Sequence, residues 1–280
     1  VYAESVGNQA LDSEHYVHPP HREEFIHVNR PGKPGGHLAL CAQRWLFSPA
    51  MRRRLLQLRT AGIGRSLARS SGDFEADLLA AFDAFKFTEP SVVVGFSLGA
   101  MSAIHLAARR AHLVSKLILI SPAAPLQLGD FLAKMAGRPL FTAAQRGPVA
   151  LRVLSGLQAA LVSIAPKFAI NAMFRTSPEA DKQLLAQPEI FNAVLNGLRS
   201  CLLSRQVGCR IELLAYVRPW ANVVNEVRCA TEIWQGSRDD WTPLAMAEAL
   251  KAQLGDLAVL NVCPGLGHYS TLHAALQRLD

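Results

Sequence analysis

Residues 91–108 constrain most strongly what this chain can fold into. They open with Ser91-Val92-Val93-Val94, continue through Gly95-Phe96-Ser97-Leu98-Gly99, and run on as Ala100-Met101-Ser102-Ala103-Ile104-His105-Leu106-Ala107-Ala108. A β-branched run favours a half-buried strand, and an Ala- and Leu-rich stretch favours a helix. The segment therefore predicts strand, sharp turn and helix, with Ser97 at the apex. So tight a turn leaves no room for a bulky Cβ two positions before or after the serine, and both positions are glycine. The turn lifts the Ser97 hydroxyl out of the sheet and sets the Leu98 N–H at a helix N-terminus, where negative charge is favoured.

Half of the 280 residues are apolar and 18% are charged, enough for one sizeable α/β domain with an insertion or for two small domains. No apolar window is long enough to predict a membrane span. The nearest, Val153 to Pro166 between Arg152 and Lys167, reads as a buried or groove-facing helix. Val1-Tyr2-Ala3-Glu4-Ser5 lacks the basic and apolar run of a secretory signal. Cys41, Cys201, Cys209, Cys229 and Cys263 are an odd set without Cys-x-x-Cys spacing. They predict reduced thiols in a cytoplasm, with neither a disulfide framework nor a zinc site. Much of the net charge of +7 comes from Arg44, Arg52, Arg53, Arg54, Arg59, Arg65 and Arg69. Without interleaved aromatics these read as a solvated helix face, and no nucleic-acid partner is expected.

Residues 1–24, with His15, His18 and His21 around Pro19-Pro20, read as a flexible arm. Short strands are predicted at 24–28 and 37–41, with a helix from Ser48 to about Arg59 and another from Asp73 to Phe87. Further strands follow at 116–121, 229–234 and 257–262. Unalternated apolar runs of this kind suit a parallel sheet covered on both faces. Between about Leu126 and Asn225 no strand is expected, only helical patterns broken at Pro139, Pro148, Pro166, Pro178, Pro188 and Pro219. The division is an N-terminal arm (1–24), a core (25–125 and 226–280) and a helical cap insert (126–225).

A serine hydroxyl needs a base to take its proton, and the base needs an acceptor to orient it. Candidates stand at two strand ends: Asp239 and its neighbour Asp240 after Trp234-Gln235-Gly236, and His268 after Cys263-Pro264-Gly265-Leu266-Gly267. His105 and His112 read as structural.

The order Ser97, Asp239, His268, the spacing of Gly236, Asp239 and Pro243, and the loop Gly265-x-Gly267-His268 resemble the α/β-hydrolase superfamily, over about residues 37–280. The resemblance implies an α/β-hydrolase fold, a mostly parallel sheet covered by helices with a helical cap. It implies a serine hydrolase that cleaves an ester, thioester or lactone-like acyl substrate, with Ser97 as nucleophile, His268 as base and Asp239, rather than Asp240, as the orienting acid. Leu98 N–H would form half of the oxyanion hole. Neither cofactor nor metal is implied, the expected partner is a small acyl compound, and the oligomeric state stays open. An apolar acyl pocket under the insert is expected, with Phe168 and Phe174 among its candidate walls.

The chain departs from the family pattern twice. Gln43-Arg44 stands where most members carry His-Gly, which leaves Trp45 N–H as the second oxyanion donor. The segment Leu55–Ser66 is short, so either one strand is missing or Leu55–Thr60 leaves the helix to supply it. These departures motivate an alternative reading, a noncatalytic ligand-binding or regulatory module of the same fold.

Overall fold

A strand sends successive side chains to opposite faces of its sheet, and the apolar runs at the centre of this chain fill both. In β5 (Ser91–Phe96) Val93 enters one buried cluster while Val94 and Phe96 enter another. In β6 (Val114–Ile120) Leu117 and Leu119 point one way, Ile118 and Ile120 the other. The computed structural model describes residues 73–83, 87, 89–203 and 207–279, together with the backbone of four short strands at 14–17, 26–29, 37–40 and 55–58.

Those strands are β1 (Glu14–Val17), β2 (Ile26–Asn29), β3 (His37–Leu40) and β4 (Leu55–Leu58). With β5, β6, β7 (Ala230–Gly236) and β8 (Ala258–Cys263) they form one eight-stranded sheet in the order β1-β2-β4-β3-β5-β6-β7-β8. β1 and β2 pair antiparallel, as do β2 and β4, and every pairing from β4 to β8 is parallel. One face is covered by α1 (Phe74–Asp83), α2 (Gly99–Arg109) and α10 (Leu244–Leu254), through Leu78, Phe82, Ile104, Met246 and Leu250. Asp73 starts α1 by accepting the N–H groups of Glu75 and Ala76 at 2.9 and 3.2 Å. The other face is covered by α11 (His268–Leu279), through Tyr269, Leu272 and Leu276.

The insert is helical among its described residues, and the prolines mark where its helices begin. Pro139 lies in the first turn of α3 (Arg138–Arg146), while Pro148, Pro166 and Pro188 open α4 (Pro148–Ile164), α5 (Pro166–Met173) and α7 (Pro188–Leu202). Pro178 precedes α6 (Glu179–Leu185). Proline has no N–H to lose there, and its fixed φ already suits a first turn. α8 (Val207–Tyr216) and α9 (Ala221–Val224) return the chain to β7. The insert reaches both cores: Phe141, Leu151 and Tyr216 pack into the first cluster, and Val162, Ile170, Phe174 and Val194 into the second.

Three expectations are corrected. Glu14–Val17, inside the expected flexible arm, is a strand laddered to β2. Leu55–Leu58, expected either as the end of a helix or as the strand drawn from it, is β4, lodged between β2 and β3, so the sheet has no gap there. Helix propensity is a weak preference, and the backbone groups of two flanking strands override it. Cys201 and Cys209 form a disulfide, with Cα atoms 5.8 Å apart. The ends of two successive helices bring them within bridging range, which linear spacing does not show. Cys229 and Cys263 are free thiols. The helix containing Val153 is groove-facing on one side, within its expectation: Val153 and Leu157 are exposed and line a groove. The seven-arginine cluster and the side chains of His15, His18 and His21 lie outside the described residues. Among the described residues no helix is long and apolar enough to cross a membrane, and no three His, Cys, Asp or Glu side chains gather as a metal site.

Candidate active site

The site lies at the carboxyl ends of β5, β6, β7 and β8, where the parallel strands stop in register. Ser97 follows β5 with φ 55°, inside the left-handed region that a non-glycine residue rarely occupies. The close turn that imposes this conformation explains its neighbour: a Cβ on Gly95 would lie 2.8 Å from Ala100 Cα and 2.8 Å from Ala103 Cβ. The backbone is held by bonds from Ser97 N to the Ile120 carbonyl, and from Ala100 N and Ala123 N to the Ser97 carbonyl, each 3.1 Å. Ser97 is half-buried, and Leu98 caps α2. The strain of order 1–3 kcal/mol persists because strand and helix fix the turn from both sides.

His268 opens α11, and its Nδ1 lies 2.9 Å from Asp239 Oδ2, both side chains being almost wholly inaccessible to solvent. The imidazole lies on Phe96, the residue before Ser97, with ring centroids 4.7 Å apart. Trp241 stacks at 5.8 Å, and Tyr269 meets the ring edge-on at 5.4 Å. The structure thus brings Asp239 and His268 into contact and seats the imidazole against the residue next to Ser97. Asp240 turns away from the imidazole and accepts from Thr176 Oγ1 at 2.7 Å and Ser177 Oγ at 3.1 Å, tying the loop to the insert.

Five donors surround the Asp239 carboxylate. Oδ1 accepts from the N–H groups of Trp241 and Thr242, both at 2.9 Å, and Oδ2 accepts from His268, Gln235 Nε2 at 3.2 Å and Thr242 Oγ1 at 3.0 Å. Burial pushes the carboxyl up, but the His268 charge, the bond to His268 and the Thr242 N–H outweigh it and hold it below the usual aspartate range. Thr242 is central to this arrangement. Its one proton serves either Asp239 or the Ser121 carbonyl, also at 3.0 Å, while a lone pair lies 3.2 Å from His268 Nδ1.

Four residues here were not singled out as site residues from sequence. Thr242 and Gln235 flank Asp239 in the chain, so proximity was their only signal. Ser121, with φ 43°, is fully buried and donates to the His268 carbonyl at 3.3 Å. Asp181 comes from α6 of the insert, 87 positions before His268, and nothing in the linear pattern links the two. Its Oδ2 accepts from the N–H of His268 at 2.9 Å, and its Oδ1 from Ser270 N at 2.8 Å and Ser270 Oγ at 2.5 Å. This carboxylate satisfies donors at the start of α11. A Cβ on Gly267 would lie 2.6 Å from Asp181 Oδ2, so the residue before His268 must stay small.

Two expectations about the surroundings divide. Phe174 is buried with its ring 5.6 Å from Trp241 and 5.2 Å from Tyr269, close to the imidazole. Phe168 is 65% exposed and lines no interior wall. Trp45, with Gln43 and Arg44, lies outside the described residues.

The model of a family described as "Alpha/beta hydrolase family" matches residues 17–278. No curated protein matches the chain by sequence. Solved structures similar to it include a thermophilic esterase from Thermogutta terrifontis, with 16% identity, TM-score 0.63 and coverage of 95% of this chain and 96% of that one. An enol-lactonase from Burkholderia xenovorans LB400 matches with 16% identity, TM-score 0.61 and coverage of 91% and 95%. A bromoperoxidase from Bacillus anthracis matches with 12% identity, TM-score 0.66 and coverage of 95% and 98%. Such identities establish a common fold and leave the reaction to the residues of the site.

Proposed function

The chain belongs to the alpha/beta hydrolase family, and on that premise we propose that it is a serine hydrolase of carboxylic esters, thioesters or lactones, with Ser97, His268 and Asp239 as its triad. The observation that carries this reading is the buried His268–Asp239 pair, 2.9 Å apart, seated on Phe96 beside a serine with positive φ.

With Nδ1 held by Asp239, Nε2 is the ring nitrogen left to accept the Ser97 proton as Oγ attacks the acyl carbon. The imidazolium then returns that proton to the leaving alkoxide or thiolate, and water repeats the cycle on the acyl-enzyme. Asp239 fixes the tautomer and balances the imidazolium charge. The Leu98 N–H, at the start of α2, is one donor to the developing oxyanion, and Trp45 is the residue that the family resemblance offers for the second. The esterase and lactonase among the similar structures support an oxygen-ester substrate. Phe174 and Trp241 beside the imidazole favour an apolar acyl group.

A fluorophosphonate probe tests the assignment directly. Wild-type protein should be labelled covalently, and Ser97→Ala should lose both the label and turnover of short p-nitrophenyl esters. Folded wild-type protein that resists the probe would instead identify a noncatalytic binding module of the same fold.

A further inference from the structure

Helix α4 is apolar on two opposite sides. Leu151, Ala159 and Val162 are buried on one side. On the other, Val149, Val153, Leu157, Leu161 and Ile164 recur at steps of four and three, forming a continuous stripe along the helix. These side chains face solvent, with Val149 78%, Leu157 65% and Ile164 84% exposed. Phe168 of α5, the next helix, is exposed as well. Beside it, Arg138, Pro139, Thr142, Ala143 and Arg146 line a groove of about 550 Å³ with Val153 and Leu157. Contiguous exposed apolar surface on this scale marks a contact face.

The charge around the stripe indicates what it contacts. From Phe131 to Pro178 the sequence contains no Asp or Glu, but it contains Lys134, Arg138, Arg146, Arg152, Lys167 and Arg175. All six cations are exposed. A second copy of the chain would set this positive field against its like. A headgroup layer carrying negative charge complements it, and the apolar row fits the acyl boundary beneath. The helix is not long and apolar enough to cross a bilayer, so it would lie along the surface. The stripe also leads to the site, because past Phe168 the chain turns inward and Ile170 and Phe174 are buried.

We propose that α4 and α5 seat this protein on an anionic lipid surface, with Val153, Leu157, Leu161 and Ile164 entering the headgroup boundary and Arg138, Arg146, Arg152 and Lys167 meeting lipid phosphates. This binding is independent of the hydrolase reading, and its test does not use turnover.

The full chain is sedimented with vesicles of phosphatidylcholine and phosphatidylglycerol in equal parts, and with phosphatidylcholine alone. Binding should favour the anionic vesicles and fall steeply as ionic strength rises to about 1 M, where screening extends only about 3 Å. Leu157→Ser combined with Ile164→Ser should weaken the partition at least about tenfold, and Arg146→Gln or Arg152→Gln about fivefold each. An unchanged thermal unfolding midpoint verifies folding, and Val153→Ser serves if the double variant does not fold. The proposal is overturned if anionic vesicles do not bind, or if binding ignores the stripe substitutions. It is also overturned if wild-type protein sediments as a dimer that Leu157→Ser dissociates, which would give the face to a second copy.

Discussion

Among the described residues two histidine–carboxylate pairs occupy opposite sides of this sheet, and one of them lies beside Ser97. His268 Nδ1 meets Asp239 Oδ2 at 2.9 Å, and His105 Nδ1 meets Glu75 Oε2 at 2.6 Å. Both imidazoles are buried among aromatics: Phe96, Trp241 and Tyr269 in one case, Phe74 and Trp220 in the other. The difference lies in the partners. Asp239 is enclosed by donors that carry no permanent charge. Glu75 is partly exposed and shared with Arg109, which also pairs with Glu226. In His105, burial lowers the basicity more than Glu75 restores it, and Nε2 is buried without a hydrogen-bond partner. The His105 pair therefore braces α2 against α1, while the His268 pair stands at the strand ends beside the strained serine. A carboxylate–imidazole contact is thus no sign of catalysis by itself; its position relative to a nucleophile gives it that role.

Substitution of the two histidines is the sharpest way to break this comparison. His268→Ala should reduce kcat on p-nitrophenyl esters by about 10⁴- to 10⁶-fold at unchanged fold. His105→Ala should leave kcat within about threefold and cost about 1–3 kcal/mol in urea unfolding. Equal kinetic losses would erase the distinction.

The carboxylates follow. Asp239→Asn should lower kcat by about 10⁴ through the wrong tautomer and the lost charge. Asp240→Asn should cost less than about tenfold, since the Asp240 carboxylate accepts from Thr176 and Ser177 rather than from His268. The reverse order in steady-state assays would transfer the acid role to Asp240.

A smaller effect is expected at Asp181. Asp181→Ala leaves the N–H groups of His268, Tyr269 and Ser270 without their acceptor. It should cost about 2–3 kcal/mol of stability and lower kcat while leaving the Asp239–His268 bond chemically available. A crystal structure of the variant with α11 unmoved and kcat unchanged would deny Asp181 a positioning role.

Acidification separates the pairs by pH window. His105 has a lowered native basicity, so the unfolded chain takes up its proton first, and stability should begin to fall as pH drops below about 6.5. Asp239 has a depressed native value, so its contribution is complete above about pH 4 and is lost as pH falls through that lower value. Urea midpoints across this range should lose the first step in His105→Ala and the second in Asp239→Asn.

The local chemistry of the elbow was legible because it is local. Gly95, Ser97 and Gly99, with a β-branched run before and an alanine-rich run after, admit little besides a strand–turn–helix, and φ at Ser97 follows from that crowding. Asp239 was legible through its spacing from Gly236 and Pro243, and the prolines of the insert marked its helix starts. Thr242 was hidden because its role depends on a hydroxyl reaching across to the Ser121 carbonyl. Leu55–Leu58 was left open between helix and strand because helix propensity there differs little from strand propensity, and the slot between β2 and β3 decided the matter. The outer face of α4 was legible as groove-facing, but not in its position. An apolar helix shows how much surface it has to bury, but not which side its neighbours will cover.

The sequence by itself determined the elbow, the helix starts of the insert, the order Ser97, Asp239, His268 and the concentration of cations without anions from Phe131 to Pro178, since short-range sterics and composition fix these residue by residue. Only the tertiary structure decided that Asp181 would hold the start of the His268 helix, that Cys201 would meet Cys209, and that His105 would pair with Glu75. Each of these depends on a contact between residues distant or unpatterned in the chain, whose free energy exists only after the sheet and its two cores have brought them together.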